Sequence, residues 1–176
     1  YGQWKQAVLG GIGRLSAAYV VTGDTVYAHK ALIMLDRVAD LYPTFDFQPQ
    51  GIMYEGAGTA GYVSTWHDAC EETRELALAY DMVFPALADA TALHHFLANQ
   101  AKRYGLDNPK ASAADVQRNI EDRILRDALA NPQKIHSNYP RAEICQAVIT
   151  RTLHEPDESL WAILDPMLEK ATAVDG

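Results

Sequence analysis

Residues 66–84, WHDACEETRELALAYDMVF, carry the clearest helical pattern of this 176-residue chain. Their apolar side chains recur at intervals of three and four residues, which places them on one face of an α-helix. The opposite face carries the acidic residues Asp68, Glu71, Glu72 and Glu75. We expect this acidic face to be exposed to solvent. The stretch therefore predicts a long amphipathic helix that packs against other elements through its apolar side.

Two helices are predicted before residue 66. The tripeptide Thr22-Gly23-Asp24 separates them, because glycine suits the end of the first helix and aspartate can cap the second. The second helix stops at Tyr42-Pro43. From residue 44 to residue 64 the helical periodicity vanishes, and glycines alternate with aromatic and apolar residues. A loop of this length inside a compact domain is usually functional, so we expect it to form the rim of a groove.

Further helices are predicted after residue 84. Asp89 and Ser112 can cap the fourth and fifth helices, a sixth begins at Pro140, and a seventh begins at Asp157. The sixth is apolar on two faces, as is typical of a helix sandwiched between layers. Because no strand pattern is found, the sequence predicts an all-α fold of antiparallel helix pairs, with residues 1–176 forming one domain. Periodicity alone does not separate a bundle from a solenoid or a toroid of such pairs.

The composition restricts the classes of function. Hydrophobic residues make up 48% of the chain, as in an ordinary globular protein. A net charge of −8 and a pI near 5.1 argue against a nucleic-acid-binding surface or a surface for anionic membranes. No apolar run is long enough to span a bilayer, and no signal peptide is recognisable, so the compartment cannot be read from the sequence. Cys70 and Cys145 are expected to be buried thiols.

Residues 136–141, HSNYPR, place polar side chains immediately before the sixth helix. The unpaired N–H groups and the dipole of a helix N-terminus favour an anion, and the Asn138 amide adds two neutral donors. His136 and Tyr139 are candidate proton carriers. The combination suits chemistry on a uronic acid. The competing interpretation is an ordinary turn followed by a proline helix start.

Other residues are weaker candidates for contact with a substrate. Tyr62, Trp66 and His67 can stack on a sugar or hydrogen-bond to it, although Trp66 also fits the apolar stripe of its helix. Arg74 can bind a carboxylate, but it can equally form an ion pair on the helix surface. Arg141 can assist Tyr139. We expect no metal ion or cofactor site in this chain, since no zinc-binding motif or phosphate-binding glycine loop is present.

Four stretches carry a resemblance to a known family. They are TGDTVYAHKALIMLDRVADLYP (22–43), QGIMYEGAG (50–58), WHDACEETRELALAYDMVF (66–84) and ILRDALANPQKIHSNYPRAE (124–143). Together they resemble the N-terminal helical domain of the heparinase II/III-like polysaccharide lyases, a group that includes oligoalginate lyases. The similarity spans nearly the whole chain, and Asn138-Tyr139-Pro140 is its most specific part.

The resemblance implies a fold and a set of partners. It implies part of an (α/α) toroid, normally followed by an antiparallel β-sandwich domain that completes the active site. The substrate would be an acidic polysaccharide or oligosaccharide, and the protein would be periplasmic or secreted. This chain alone would be inactive, and any metal ion would belong to the β-domain. An incomplete toroid also exposes apolar edges, so self-association is expected.

The resemblance also implies roles for individual residues. In such lyases an Asn neutralises the uronate carboxylate, and a Tyr or His removes the C5 proton. Asn138 matches that Asn by position, whereas Tyr139 stands where many members carry His. Two alternatives stay open: an (α/α)-toroid glycoside or uronyl hydrolase that uses paired carboxylates, and a non-catalytic helical scaffold or carbohydrate-binding domain.

Overall fold

The computed structural model describes residues 3–45 and 66–172, apart from the side chains of Trp66 and His67. These residues form an all-α fold, and no β-strand occurs within the two ranges. The α-helices are α1 (Gly10–Thr22), α2 (Thr25–Leu41), α3 (Trp66–Val83), α4 (Thr91–Tyr104), α5 (Ala113–Ile120), α6 (Asp127–Ala130), α7 (Arg141–Thr152) and α8 (Asp157–Ala171). The predicted fold class is confirmed, whereas the arrangement of the helices in a toroid stays a prediction.

Shorter helical turns extend several of these helices. A π-helical segment, Trp4–Leu9, leads into α1, and a second one, Glu121–Arg126, joins α5 to α6 in one continuous rod. Single 3₁₀ turns follow α2, α3 and α6, and each contains a proline in its first two positions. Proline lacks the N–H that a continuing helix needs, so it favours a change to a short turn at these points.

The predicted boundaries around α1, α2 and α5 are confirmed. Gly23 ends α1 with a φ of 70°, a left-handed conformation that glycine adopts without a Cβ penalty. Asp24 then caps α2 by accepting a 2.9 Å hydrogen bond from the Val26 backbone N–H. Ser112 caps α5 in the same way, with a 3.2 Å bond from the Asp115 N–H. Local backbone and side-chain chemistry is sufficient to set these three ends.

Two predicted helix starts differ from the structure. Asp89 does not cap α4, because the N-cap residue is Ala90, which makes no side-chain hydrogen bond. The sixth predicted helix is α7, and it begins at Arg141 with Pro140 as its N-cap residue, one position later than expected. Asn138 therefore lies two residues before the cap, and its backbone carbonyl accepts a 2.8 Å bond from the Arg141 N–H.

The helices pack in a chain of neighbours. Helix α1 packs against α2 and α3, α3 also packs against α7, and α7 lies between α3 and α8. This confirms that the doubly apolar helix is sandwiched between two others. Since only Gly23 and Asp24 separate α1 from α2, these two helices form an antiparallel hairpin. They approach closely at Gly11, where an added Cβ would come within 3.2 Å of Met34 Cε.

One hydrophobic core unites the helices, and both cysteines belong to it. Cys70 of α3 and Cys145 of α7 are fully buried free thiols, as predicted. Burial raises the pKa of Cys145 to about 12 and raises that of Cys70 as well. The core also buries Tyr42 and Tyr80, which hydrogen-bond through their hydroxyls to Thr73 and Glu121. The hydroxyls of both buried tyrosines thus have partners, as stability requires of buried polar groups.

The prediction of a solvent-exposed acidic face on α3 is wrong for Glu72. This residue is only 5% exposed. The N-terminal π-helical segment covers it, with Trp4 Nε1 donating a 2.9 Å hydrogen bond to Glu72 Oε2. Lys5 from the same segment pairs with Asp68 at 2.7 Å. Helical periodicity cannot show such a contact, because it joins parts of the chain that are far apart in sequence.

Some apolar side chains remain exposed. Val21 at the tip of the α1–α2 hairpin is 85% exposed, and Trp161 and Leu168 of α8 are 50% and 53% exposed. Helix α8 buries no residue completely. Self-association through such surfaces stays a prediction. None of the helices in the described ranges combines the length and the apolar character that crossing a membrane requires.

Candidate functional site

The segment from residue 135 to residue 139 is fixed to the core and presents polar groups outward. Ile135 is fully buried, and the buried Ser137 is joined to Cys70 of α3 by a side-chain hydrogen bond. Between and beyond these anchors, His136 and Asn138 are exposed. Ile135 and Ser137 hold the backbone against α3. The backbone positions of His136 and Asn138 are therefore fixed, and both side chains are accessible to a ligand.

Tyr139 points toward the C-terminal end of α8. Its side chain is 43% exposed, and its hydroxyl donates a long hydrogen bond of 3.4 Å to the Met167 carbonyl. The Lys170 ammonium lies 3.7 Å from the centroid of the Tyr139 ring, within the range of a cation–π contact. Sequence reasoning missed Lys170, because only the packing of α8 on α7 brings it to this place. The structure thus adds a cation beside the predicted proton carrier.

Arg141 forms an ion pair with Glu71 of α3. Its Nε atom lies 3.3 Å from Glu71 Oε1, and the two side chains are 49% and 38% exposed. Exposed pairs of this kind contribute roughly 0 to 1 kcal/mol, since water screens them. Arg141 can therefore exchange Glu71 for a carboxylate of a ligand at little cost.

Arg74 lies about one turn further along α3. Its backbone contacts the buried Cys145 sulfur in α7, and its own side chain is partly buried. Within the described ranges the Arg74 side chain has no ion-pair partner, so the alternative of a helix-surface ion pair is not observed. A partly buried guanidinium without a carboxylate is suited to binding an anion.

The remaining predicted site residues can be placed only in part. Tyr62 lies outside the described residues. Trp66 and His67 form the first turn of α3, one turn before Cys70, but nothing is described of their side chains. Since Cys70 contacts Ser137, the start of α3 and the segment before α7 lie close together.

Three cavities of the described residues lie away from residues 136–141. One of about 360 Å³ is lined by residues of α1 and α3, one of about 380 Å³ by residues of α2 and α4, and one of about 210 Å³ lies beside α5. Asn138 and Tyr139 are themselves exposed among the described residues, as contact with an extended polymer requires.

No cluster of three or more His, Cys, Asp or Glu residues that could hold a metal ion occurs in the described part of the chain. The surface itself offers the amide of Asn138, the phenol of Tyr139 and the imidazole of His136. Comparisons of the chain with protein-family models, with curated proteins and with solved structures found no match. The resemblance to polysaccharide lyases accordingly stays a prediction.

Proposed function

We propose that this helical domain forms part of a polysaccharide lyase that cleaves uronic-acid polymers by β-elimination. The observation that carries the proposal is the exposure of Asn138 and Tyr139 together before α7, beside the cations Arg141 and Lys170. Lys170 lies beside Tyr139, and Arg141 is held only by an exposed pair with Glu71, so both cations are available to an acidic substrate of a chain whose net charge is −8. An acidic substrate needs such cations, because the overall charge would repel it.

The proposed reaction begins with neutralisation of the substrate carboxylate. The Asn138 amide donates hydrogen bonds to this carboxylate, which stabilises the negative charge that develops as the C5 proton leaves. Tyr139 Oη, once its own proton has passed to solvent, accepts the C5 proton as a phenolate. The electron pair of the broken C5–H bond forms a double bond between C4 and C5, and the C4–O bond breaks. The departing glycosidic oxygen takes a proton, for which His136 is the candidate donor.

The geometry requires one rearrangement before Tyr139 can act. Its hydroxyl donates to the Met167 carbonyl at 3.4 Å, and this contact must open for the oxygen to reach a substrate. A hydrogen bond of that length at an exposed position is weak, so opening it costs little. Arg141 and Arg74 would then hold carboxylates of neighbouring uronate units along the surface.

The test is the ultraviolet absorbance of the unsaturated uronate, measured with the full-length protein on alginate, heparin, chondroitin and glucuronan. We expect one polymer to give a rise, and Asn138→Ala to slow it by about 100-fold or more, as loss of a charge-stabilising donor does. Asn99→Ala, a change of the same kind at an exposed position of α4, is the matched control and should retain full activity. Equal activity of both variants would refute the role of Asn138.

A second candidate function is a non-catalytic carbohydrate-binding or scaffold domain. The contacts of Tyr139 with Met167 and Lys170 favour it, because they fasten α8 to the segment before α7. In that case a polymer would still bind, and Tyr139→Leu would loosen α8, but no unsaturated product would form on any substrate. Binding without any rise in absorbance would therefore select this alternative.

A further inference from the structure

A groove between α1 and α3 has an apolar base and two charged residues at its edge. It has a volume of about 360 Å³. Its base consists of side chains that are buried in the core, namely Leu9, Ile12, Leu76 and Ala79. A volume of this size lies within the range of roughly 300 to 1,000 Å³ that is typical of small-molecule sites. The groove is therefore large enough for the apolar part of a small ligand.

The rim of the groove on α3 is apolar and exposed. Leu78 and Met82, one helical turn apart, line the groove and are 42% and 40% exposed. A methionine side chain is flexible and adapts its shape to a bound group. A ligand in the groove would remove apolar surface of both side chains from water, which favours a ligand with an apolar body.

On the α1 side the groove is bordered by the bare backbone of Gly13. A glycine inside a helix lowers its stability relative to alanine, so it is often explained by close packing. A Cβ added at Gly11 would come within 3.2 Å of Met34 Cε, whereas one added at Gly13 would meet no neighbouring atom within 4 Å. Close packing inside the molecule thus accounts for Gly11 but not for Gly13. The absent side chain of Gly13 instead keeps the groove open.

The two charged residues that line the groove have opposite signs but are not paired. Arg14 and Glu75 are both exposed, and among the described residues neither forms an ion pair or a side-chain hydrogen bond, with the other or with a third residue. The Arg14 guanidinium lies alongside Gly10, since a Cβ added there would come within 3.6 Å of Arg14 Nη1. The groove therefore presents a free cation on α1 and a free carboxylate on α3.

We propose that this groove binds a small zwitterion with an apolar body, of the class of the amino acids with large apolar side chains. The ligand carboxylate would bind Arg14, the ligand ammonium would bind Glu75, and the apolar body would lie on the base of the groove. A ligand with a single charge would be attracted by one of these residues and repelled by the other, whereas a zwitterion is attracted by both. The inference is independent of the proposed lyase function, since neither residues 136–141 nor Arg74 and Lys170 line this groove.

The first arm of the test compares phenylalanine with two analogues that each lack one charge. Phenethylammonium lacks the carboxylate and hydrocinnamate lacks the ammonium, and NMR titration of the chain measures the affinity of all three. We expect phenylalanine to bind about threefold or more tightly than either analogue, because an exposed charge pair contributes modestly. No binding of phenylalanine up to millimolar concentration, or binding of either analogue that is equally tight or tighter, would overturn the proposal.

The second arm removes each charge of the groove in turn. Arg14→Gln should abolish the advantage of phenylalanine over phenethylammonium and keep its advantage over hydrocinnamate, and Glu75→Gln should do the reverse. Both positions are exposed, so the substitutions leave the core intact. Arg118→Gln and Glu158→Gln make the same changes at exposed positions outside the groove and should leave all three affinities unaltered. An equal effect of Arg14→Gln on both advantages would contradict the assigned contacts.

The third arm fills the groove from α1. Gly13→Leu adds a side chain where there is open space, and leucine favours a helix more than glycine, so the midpoint of thermal denaturation should stay the same or rise. Phenylalanine should nevertheless bind about tenfold or more weakly, because its apolar body no longer reaches the base. Ala162→Leu at an exposed position of α8 is the control and should leave binding unaltered. Full binding in Gly13→Leu would place the ligand elsewhere and refute the proposal.

Discussion

Trp4 Nε1 donates a 2.9 Å hydrogen bond to Glu72 Oε2, which ties the N-terminal π-helical segment to the middle of α3. The Glu72 side chain is only 7% exposed, and Lys5 Nζ lies 3.6 Å from its other oxygen. A buried carboxylate is stable only when such donors replace water. The contact thus explains how an acidic residue can lie inside the fold next to the core.

The hydrogen bond from Trp4 should contribute measurably to stability. Trp4→Phe keeps an aromatic ring beside Phe45, whose ring centroid lies 5.2 Å away, but removes the N–H donor. We expect the free energy of unfolding to fall by about 1 to 3 kcal/mol, because a buried acceptor loses a partner. Urea denaturation measures this change. Trp161→Phe, at a half-exposed position, is the control and should change stability by less than about 0.5 kcal/mol.

The helices could be predicted from local sequence, whereas the burial of Glu72 could not. Gly23, Asp24 and Ser112 end or cap helices through their own backbone or side-chain chemistry, so their positions follow from a few neighbouring residues. The environment of Glu72 depends on Trp4, which is 68 residues away in sequence. Periodicity assigns a residue to a face of its helix, but it does not tell which segment covers that face.

The Lys110 ion-pair cluster should be a strong determinant of stability. Lys110→Met leaves Asp36 and Asp40 buried without their ammonium, so we expect a loss of about 3 to 5 kcal/mol in the free energy of unfolding. Lys102→Met at an exposed position of α4 should have almost no effect. Guanidinium chloride titrations of both variants test this. A small loss in Lys110→Met would mean that the carboxylates are neutral or hydrated.

Neutralising the carboxylates should compensate for the loss of the lysine. Adding Asp36→Asn and Asp40→Asn to Lys110→Met removes the unpaired buried charges, so the triple variant should be more stable than Lys110→Met alone. The same titration measures the recovery. If the triple variant were less stable still, electrostatics would not be the main effect of the single substitution.

Only part of each candidate site was readable in the sequence. Pro140 marked the start of a helix, and this placed Asn138 and Tyr139 beside its N-terminus. Lys170 could not be predicted, since it reaches Tyr139 only because α8 folds back onto α7. The buried ion pair of Lys110 with Asp36 could not be predicted for a similar reason, because the two residues are 74 positions apart.

Two substitutions of Tyr139 measure the contributions of its hydroxyl and of its ring separately. Tyr139→Phe removes the 3.4 Å bond to Met167 but keeps the ring beneath Lys170, so stability should change by less than about 0.5 kcal/mol. Tyr139→Leu also removes the cation–π contact and should cost about 0.5 to 1 kcal/mol more. Thermal denaturation distinguishes the two. Loss of lyase turnover in the stable Tyr139→Phe variant would assign the hydroxyl to the reaction.

The buried thiols should make stability depend on pH above 9.0. Burial raises the pKa of Cys145 from 9.0 to about 12 and raises that of Cys70, so the native state keeps both protons. Unfolded thiols ionise near pH 9.0, so the stability that both thiols contribute is full below this pH and is lost as the pH rises, for Cys145 toward 12. At pH 10 the loss from Cys145 should be about 1.4 kcal/mol, and Cys70 should add a loss in the same direction. Urea titrations from pH 8 to pH 10 measure how the free energy of unfolding declines with pH. The decline should be shallower in a Cys70→Ala, Cys145→Ala double variant than in the unchanged protein. Equal declines in the two proteins would contradict the assignment to the thiols.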